Sequence, residues 1–178
     1  MPKAASITKD MILEAAFELS RSEGFHTLSA RSIAKRAKCS TQPIFWLYEN
    51  MDVLKQEVKQ KIVDYLGDQI KNYHKTGDPF LDMGLGYVKV AYTESLLFKA
   101  IYIDNILNIS MEDIIPEPQL VEVVKKGNYK SEVSDDEAND IATLSWIFVH
   151  GLASLVATKL MEYDEEKIMA ILTTPIKF

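Results

Sequence analysis

The spacing of apolar residues predicts helices along almost the whole chain. Between Thr8 and Gly24, apolar residues recur every three or four positions, and the same spacing marks a longer helix from Asn50 to about Tyr73. Strand-like alternation is scarce, and the 178 residues include only 7 Gly and 6 Pro. The pattern therefore predicts an all-α protein, with further helices over residues 79–93, 96–103, 120–126, 134–163 and 164–172.

Residues 27–54 predict two short helices joined by a tight turn. Ser29 precedes the first helix and Ser40 precedes the second, each as an N-cap. The dipeptide Lys38-Cys39 forms the turn, and the second helix starts with small polar residues before it becomes apolar. A polar leading end and an apolar rear are typical of a helix-turn-helix, in which the leading end enters the major groove.

Charge is distributed unevenly along the chain. The formal net charge of −6 argues against a protein that binds nucleic acid without specificity. However, residues 1–50 carry 7 Lys/Arg against 5 Asp/Glu, whereas residues 51–178 carry 13 against 21. The head is therefore mildly basic and the body acidic, so the head rather than the body is expected to face DNA phosphates.

Three features bear on the compartment. Cys39 is the only cysteine, which excludes an intrachain disulfide and fits a reducing cytoplasm. Residues 1–10 lack the apolar core of a signal peptide. Residues 141–158 carry no formal charge, but a third of them are polar or glycine, so we interpret them as a helix buried in a bundle or dimer rather than a membrane span. We expect a soluble, cytoplasmic protein.

Caps, a glycine and core positions follow one another through the head in a specific order: Thr8, Ile12, Ala15, Ala16, Leu19, Gly24, Leu28, Ser29, Ile33, Ala34, Ala37, Ser40, Ile44, Phe45, Tyr48, Asn50 and Leu54. In this order and spacing the head resembles the TetR/AcrR family of transcriptional regulators. The body resembles one branch of that family, because Trp146, His150 and Gly151 match its Trp-His-Gly signature. The resemblance implies a ligand-binding body that dimerises through its last two helices, here residues 134–172.

Three positions depart from the family pattern. The family usually has Gly at the position of Lys38, so the turn is costlier or differently shaped here. It usually has Tyr at the position of Phe45 and Lys at the position of Met51, and both side chains commonly contact phosphate. Their loss predicts a weaker electrostatic contribution to DNA affinity and a flatter salt dependence.

The candidate DNA-binding residues lie in and before the two short helices: Ser29, Arg31, Lys35, Ser40, Thr41, Gln42, Pro43, Phe45 and Trp46. Gln42 can bond an adenine edge, and Thr41 or Trp46 can contact a thymine methyl group. Arg31 and Lys35 can hold phosphates. The alternative is that this is one more polar helix start in a bundle, with its charges merely solvated.

The candidate ligand pocket consists of aromatic residues and one histidine in the body: Tyr87, Tyr92, Phe98, Tyr102, Trp146 and His150. Trp146 and His150 are four residues apart, so they share one face of a helix. A packed aromatic core with a hydrogen-bonded histidine explains the same residues without a ligand.

Features of an enzyme are missing from the sequence. His26, His74 and His150 are far apart, and no pair has metal-ligand spacing. There is no glycine-rich phosphate loop and no nucleophile elbow. We therefore predict no catalysis, no metal site and no cofactor.

Together these features predict an all-α homodimer with a three-helix head, residues 1–50, on a ligand-binding and dimerisation body, residues 51–178. It would repress transcription from a palindromic operator of double-stranded DNA and be released by an unidentified small-molecule effector. Two alternatives stay open. One is a regulator or protein-interaction module that lacks an effector and binds DNA weakly, and the other is an all-helical enzyme.

Overall fold

The computed structural model of the protein describes residues 7–108, 122, 124, 125 and 134–174. Throughout these residues the chain is helical and contains no strand, which confirms the predicted fold class. Most of the predicted helix over residues 120–126 lies outside the described residues. The helices are α1 (Lys9–Glu23), a 3-10 turn (Phe25–Thr27), α2 (Ala30–Arg36), α3 (Gln42–Leu47), α4 (Met51–Lys71), α5 (Pro79–Thr93), α6 (Ser95–Tyr102), α7 (Asp135–Ala157) and α8 (Glu165–Thr173).

Polar side chains define most of the helix starts. The residue before the helix accepts backbone N–H groups of the first turn at α1, α2, α4, α5, α7 and α8, through Thr8, Ser29, Asn50, Asp78, Ser134 and Asp164. Ser134 and Glu137 form the reciprocal capping box that the sequence predicts. The observed caps confirm these predicted starts. They could be predicted because each cap depends only on contacts within four residues.

The turn between α2 and α3 differs from the prediction. Ser40 does not cap α3, because the helix begins at Gln42 after Thr41, and no side chain caps it. Thr41 already has helical backbone angles, and Pro43 in the first turn has no N–H that needs a partner. Lys38 has a φ of 54°, so the turn uses the left-handed conformation that a glycine would adopt more easily.

One apolar cluster runs from the head into the body. It joins Ile12 of α1, Ile33 of α2 and Ile44 of α3 to Leu54 and further residues of α4. The same cluster continues to Val90, Leu97 and Ile101 in α5 and α6. Because α1 also packs on α6, the head contacts the body directly and is not connected to it through α4 alone.

A second cluster forms the core of the body where α5 packs against α7 and α8. Val88, Phe98, Ala153 and Ile168 are among its buried residues. The end of α4 approaches α5 closely at Gly86, where an added Cβ would lie 2.8 Å from the Cβ of Tyr73. A side chain at that position would therefore push the two helices apart.

The end of α7 is also earlier than predicted. The helix stops at Ala157 rather than near Tyr163, with Thr158 as its C-cap. Lys159 has a φ of 62°, which breaks the helix, and the Thr158 hydroxyl donates to the Ser154 carbonyl at 2.7 Å. The apolar pattern continues beyond this point, so the pattern alone does not mark the end.

Candidate nucleic-acid interface and aromatic cluster

Helix α3 divides its residues between the head core and the solvent. Ile44 and Tyr48 are buried at its rear, four residues apart on one face. Gln42 is exposed, and Phe45 and Trp46 are 56% and 75% exposed. Neighbouring exposed apolar side chains of this size are candidates for an interaction site.

The other predicted DNA-binding residues surround this face. Ser29, Arg31, Lys35, Ser40 and Thr41 are exposed, and only Pro43 of the predicted set is half-buried. The Ser29 hydroxyl is engaged in capping, since it accepts the Ser32 N–H at 3.1 Å. The structure thus brings the predicted residues onto one continuous segment of the head.

Ion pairing distinguishes Arg31 and Lys35 from Arg36 in the head. Among the described residues, no carboxylate lies within ion-pair distance of either one. In contrast, Arg36 approaches Glu18 at 3.8 Å. Arg31 and Lys35 can therefore bind phosphate without breaking an existing pair, and so can Lys38, which likewise forms no ion pair among the described residues.

A polar network that sequence reasoning missed holds the rear of α3. The Tyr48 hydroxyl donates to Glu57 of α4 at 3.2 Å, and Lys9 of α1 pairs with the same carboxylate at 2.5 Å. The Lys9 ammonium also lies 4.9 Å from the centre of the Tyr48 ring. Burial and the nearby Glu57 carboxylate raise the pKa of Tyr48, so its hydroxyl stays protonated and keeps α3 tied to α1 and α4.

In the body, four aromatic rings surround the imidazole of His150. The ring centres of Trp146, Tyr102, Phe98 and Tyr87 lie 4.8, 6.0, 6.1 and 6.2 Å from it. The Tyr87 hydroxyl is 3.0 Å from Nδ1 of His150. The structure therefore brings five of the six predicted pocket residues together, which we call the aromatic cluster.

The aromatic cluster is a polar site inside an apolar environment. Burial lowers the pKa of His150 below its usual 6.5, and burial raises the pKa of Tyr87 and of Tyr102. Near neutral pH the imidazole and both phenols are consequently uncharged. Tyr87 can then donate to Nδ1, while Nε2 faces the Ser154 hydroxyl at 3.5 Å.

Tyr92 is separate from this cluster. It is 54% exposed and stacks on Tyr163 with ring centres 4.4 Å apart. Five residues along a helix correspond to a rotation of about 140°, so Tyr92 faces away from Tyr87 on α5. The sequence grouped the two because both are tyrosines of one helix, but they do not line one pocket.

A groove of about 690 Å³ lies elsewhere, between α1 and α4. Its lining includes Phe17 and Tyr65 together with charged residues such as Glu14, Lys61 and Asp64. The groove comes from the crossing of two helices that are distant in sequence, and no local pattern predicts it. Among the described residues, no group of three or more His, Cys, Asp or Glu could hold a metal ion.

Comparisons with known proteins agree with this architecture. Residues 12–58 match the sequence profile of bacterial regulatory proteins of the tetR family. A transcriptional regulator from Rhodococcus sp. Rha1 has a TM-score of 0.65 and 18% identity, covering 93% of this chain and 92% of its own. A TetR-like transcriptional regulator from the same organism has a TM-score of 0.62 and 16% identity, covering 97% and 93%.

A third structure, the fatty acid degradation regulator FadR from Bacillus halodurans, has a TM-score of 0.53 and 18% identity, covering 96% of both chains. No curated protein matches the chain in sequence. The matched profile and the neighbouring structures belong to transcriptional regulators rather than enzymes, in agreement with the prediction that the protein is not an enzyme.

Proposed function

We propose that this chain is a TetR-family homodimeric repressor that a small-molecule effector releases from a palindromic operator, because residues 12–58 match the tetR profile and the fold matches TetR-like regulators. The observation that carries the proposal is the exposed leading face of α3, with Trp46 75% exposed beside Gln42 and Phe45. We assign DNA binding to residues 1–50, and ligand binding and dimerisation to residues 51–178.

Base and phosphate contacts divide between two parts of the head. Gln42 bonds an adenine at N6 and N7, and Trp46 and Thr41 contact thymine methyl groups. Arg31 and Lys35 bind phosphates, supported by their exposure and by the lack of a described carboxylate beside them. Ser29, Ser40, Pro43 and Phe45 shape the surface around these contacts.

The outward face of α7 supports the dimer. Leu144, Ile147, Phe148 and Leu155 are exposed at helical spacing along one stripe, and Leu144 is 63% exposed. The opposite face of α7 packs on α5 inside the same chain. With α8 beside it, the stripe can meet its own copy across a two-fold axis, which places two heads on successive major grooves about 34 Å apart.

We also propose a cytoplasmic location, and the apolar composition of α7 agrees with it. By length and composition alone, α7 is apolar enough to cross a membrane. Its inner residues Ala153 and Val156 are buried in the body, and its outer stripe is accounted for by the proposed dimer. No membrane is needed to explain its composition.

The aromatic cluster is the proposed effector site. Its rings contact one another, with Phe98 4.9 Å from Tyr102 and 5.4 Å from Tyr87 between ring centres, so an effector must displace them to enter. A ligand that prefers this displaced state shifts the protein away from the DNA-binding state. Tyr92 plays no part in this site.

DNA binding is tested by anisotropy titration of the protein with labelled DNA from around its gene, at several salt concentrations. We expect sequence-specific binding that weakens with salt, and a loss of about 1–3 kcal/mol for Gln42→Ala and for Trp46→Ala. His74→Ala, an exposed change outside both the head and residues 134–172, is the control and should bind normally. Binding without sequence specificity would overturn the repressor function.

Dimerisation is tested by sedimentation of Leu155→Lys at micromolar concentration. A charge on the outward stripe should give monomers, whereas Val53→Lys, an exposed apolar change at the start of α4, should leave the dimer intact. Leu152, on the same helix, is a poor choice because it is only 7% exposed within its own chain. A persistent Leu155→Lys dimer would show that another surface mediates assembly.

A second function is favoured by the closed packing of the aromatic cluster. A regulator without an effector would keep these rings as a core, and the missing phosphate anchors at Phe45 and Met51 would make its DNA binding weak. Operator affinity that no candidate metabolite changes, together with a shallow salt dependence, would support this alternative over ligand release.

A further inference from the structure

Glu94 is a buried carboxylate at the corner between α5 and α6. It is only 7% exposed, and its oxygens accept hydrogen bonds from three donor groups. Arg21 donates through Nε to Oε2 at 2.8 Å and through Nη2 to Oε1 at 2.6 Å, and the Tyr65 hydroxyl donates to Oε1 at 2.9 Å. We call these three residues the corner network.

The corner network joins three parts of the protein that are distant in sequence. Arg21 lies in the last turn of α1 in the head, Tyr65 lies in α4, and Glu94 belongs to the body. The Arg21 guanidinium also lies 5.4 Å from the centre of the Tyr65 ring. The head is therefore connected to the body by directional bonds at this point, in addition to apolar packing.

Directional bonds and apolar packing constrain the head differently. Apolar contact is non-directional, so by itself it does not specify the angle between two interacting groups. A two-bond arginine–carboxylate pair specifies both distance and angle. Because a buried carboxylate without donors is strongly unfavourable, Glu94 keeps Arg21 and Tyr65 in place as long as the protein stays folded.

We propose that Glu94 is a positioning residue for DNA binding, which sets the orientation of the head on the body through Arg21 and Tyr65. Where it concerns the operator, this inference rests on the proposed function, because head orientation determines the separation of the two heads in a dimer. The corner is also continuous with the aromatic cluster, since Tyr87 lies on α5 and Phe98 on α6. A shift of α6 at the cluster thus moves the carboxylate that holds the head.

The orientation of the head can be measured without DNA and without a dimer. Spin labels are attached to Glu49→Cys in the head and Glu162→Cys in the body, both exposed, in a Cys39→Ser chain. Labelled protein is mixed with excess unlabelled protein, so that each assembly carries one labelled chain. Pulsed electron spin resonance then gives the distance distribution between head and body within that chain.

Glu94→Gln is the main variant, because the amide keeps the shape and removes the charge that binds Arg21. We expect a broader or shifted distance distribution at unchanged helix content, and a smaller broadening for Tyr65→Phe, which keeps the ion pair. Lys61→Met is the matched control: it breaks the 2.7 Å ion pair with Glu14 between α4 and α1, and Lys61 forms no hydrogen bond or ion pair with a residue of the corner network. If both network variants give the wild-type distribution, the proposal is wrong.

A second measurement connects head orientation to the operator. Glu94→Gln should bind the two-half-site operator about tenfold more weakly, if about one dimer in ten has both heads in the competent orientation. It should also tolerate a half-site spacing changed by one base pair better than the wild type does. Equal spacing preference in both proteins would overturn the role of Glu94 in DNA binding, while a wild-type protein that binds no operator would overturn the proposed function and leave the distance result standing.

Discussion

The exposed leading face of α3 in the head and the aromatic cluster of the body are both rich in aromatic residues, but they present them in opposite ways. Phe45 and Trp46 extend into solvent from a helix whose rear is locked in the core. Tyr87 and Phe98 are buried and packed around His150. Under the proposed function, the surface for DNA therefore exists before binding, whereas the site for a ligand must be opened.

This difference also separates the energetic roles of the two regions. Exposed side chains make few contacts that a substitution can remove, so changes there should affect binding more than folding. Buried rings exclude water and fill volume, so changes there should affect folding first. The substitutions below test this contrast between the two regions.

The largest expected effect is that of Phe98→Ala. Truncating a fully buried ring should lower the free energy of unfolding by about 3–5 kcal/mol, because it removes apolar contact and leaves a cavity. Phe45→Ala is the matched control in the head and should cost less than about 0.5 kcal/mol. Urea unfolding measures both, and equal losses would contradict the contrast between the two regions.

The next effect concerns the two phosphate contacts that the family usually has. Phe45→Tyr should strengthen operator binding by about 0.5–1.5 kcal/mol through a neutral hydrogen bond, with no change in salt slope. Met51→Lys should instead steepen the slope of log affinity against log salt by about 0.9, because it adds a cation. Anisotropy titrations at several salt concentrations separate the two, and identical slopes would place position 51 away from phosphate.

A smaller effect is expected at the two lysines whose backbone has a left-handed conformation. Lys38→Gly in the head and Lys159→Gly in the body should each raise the free energy of unfolding by about 0.5–1 kcal/mol, since relief of backbone strain exceeds the added chain entropy. Only Lys38→Gly should also flatten the salt dependence of operator binding. Thermal unfolding and titration test both parts, and a flatter slope for Lys159→Gly would contradict the assignment of the DNA face.

The smallest effect is the pH dependence contributed by His150. Its pKa in the folded state is below 6.5 because of burial, so the unfolded chain binds a proton more readily. The stability it contributes is therefore complete above about pH 6.5 and is lost as pH falls from there toward the folded pKa. His150→Gln, which can still bond Tyr87, should have a shallower decline in unfolding free energy below neutral pH, measured by urea titration.

The sequence predicts the elements that depend on neighbours close along the chain. Thr8, Ser29 and Ser134 were identified as caps because a cap needs only the following turn. The sequence predicts Ser40 as the cap of α3, but the helix begins at Gln42 and no side chain caps it. A polar residue before an apolar run does not show whether its side chain reaches the first turn. Tyr92 was grouped with the aromatic cluster because residue type does not reveal which side of α5 meets α7.

The sequence alone determined an all-helical chain with a polar-fronted, apolar-backed α3, since both follow from local periodicity and capping. Tertiary structure decided which aromatic residues meet His150 and which face of α7 remains open. It also decided that Glu94 meets Arg21, 73 positions away. The physical reason is that a hydrogen bond between distant residues depends on how whole helices pack, and helix packing is a sum of many weak contacts that no short stretch of sequence contains.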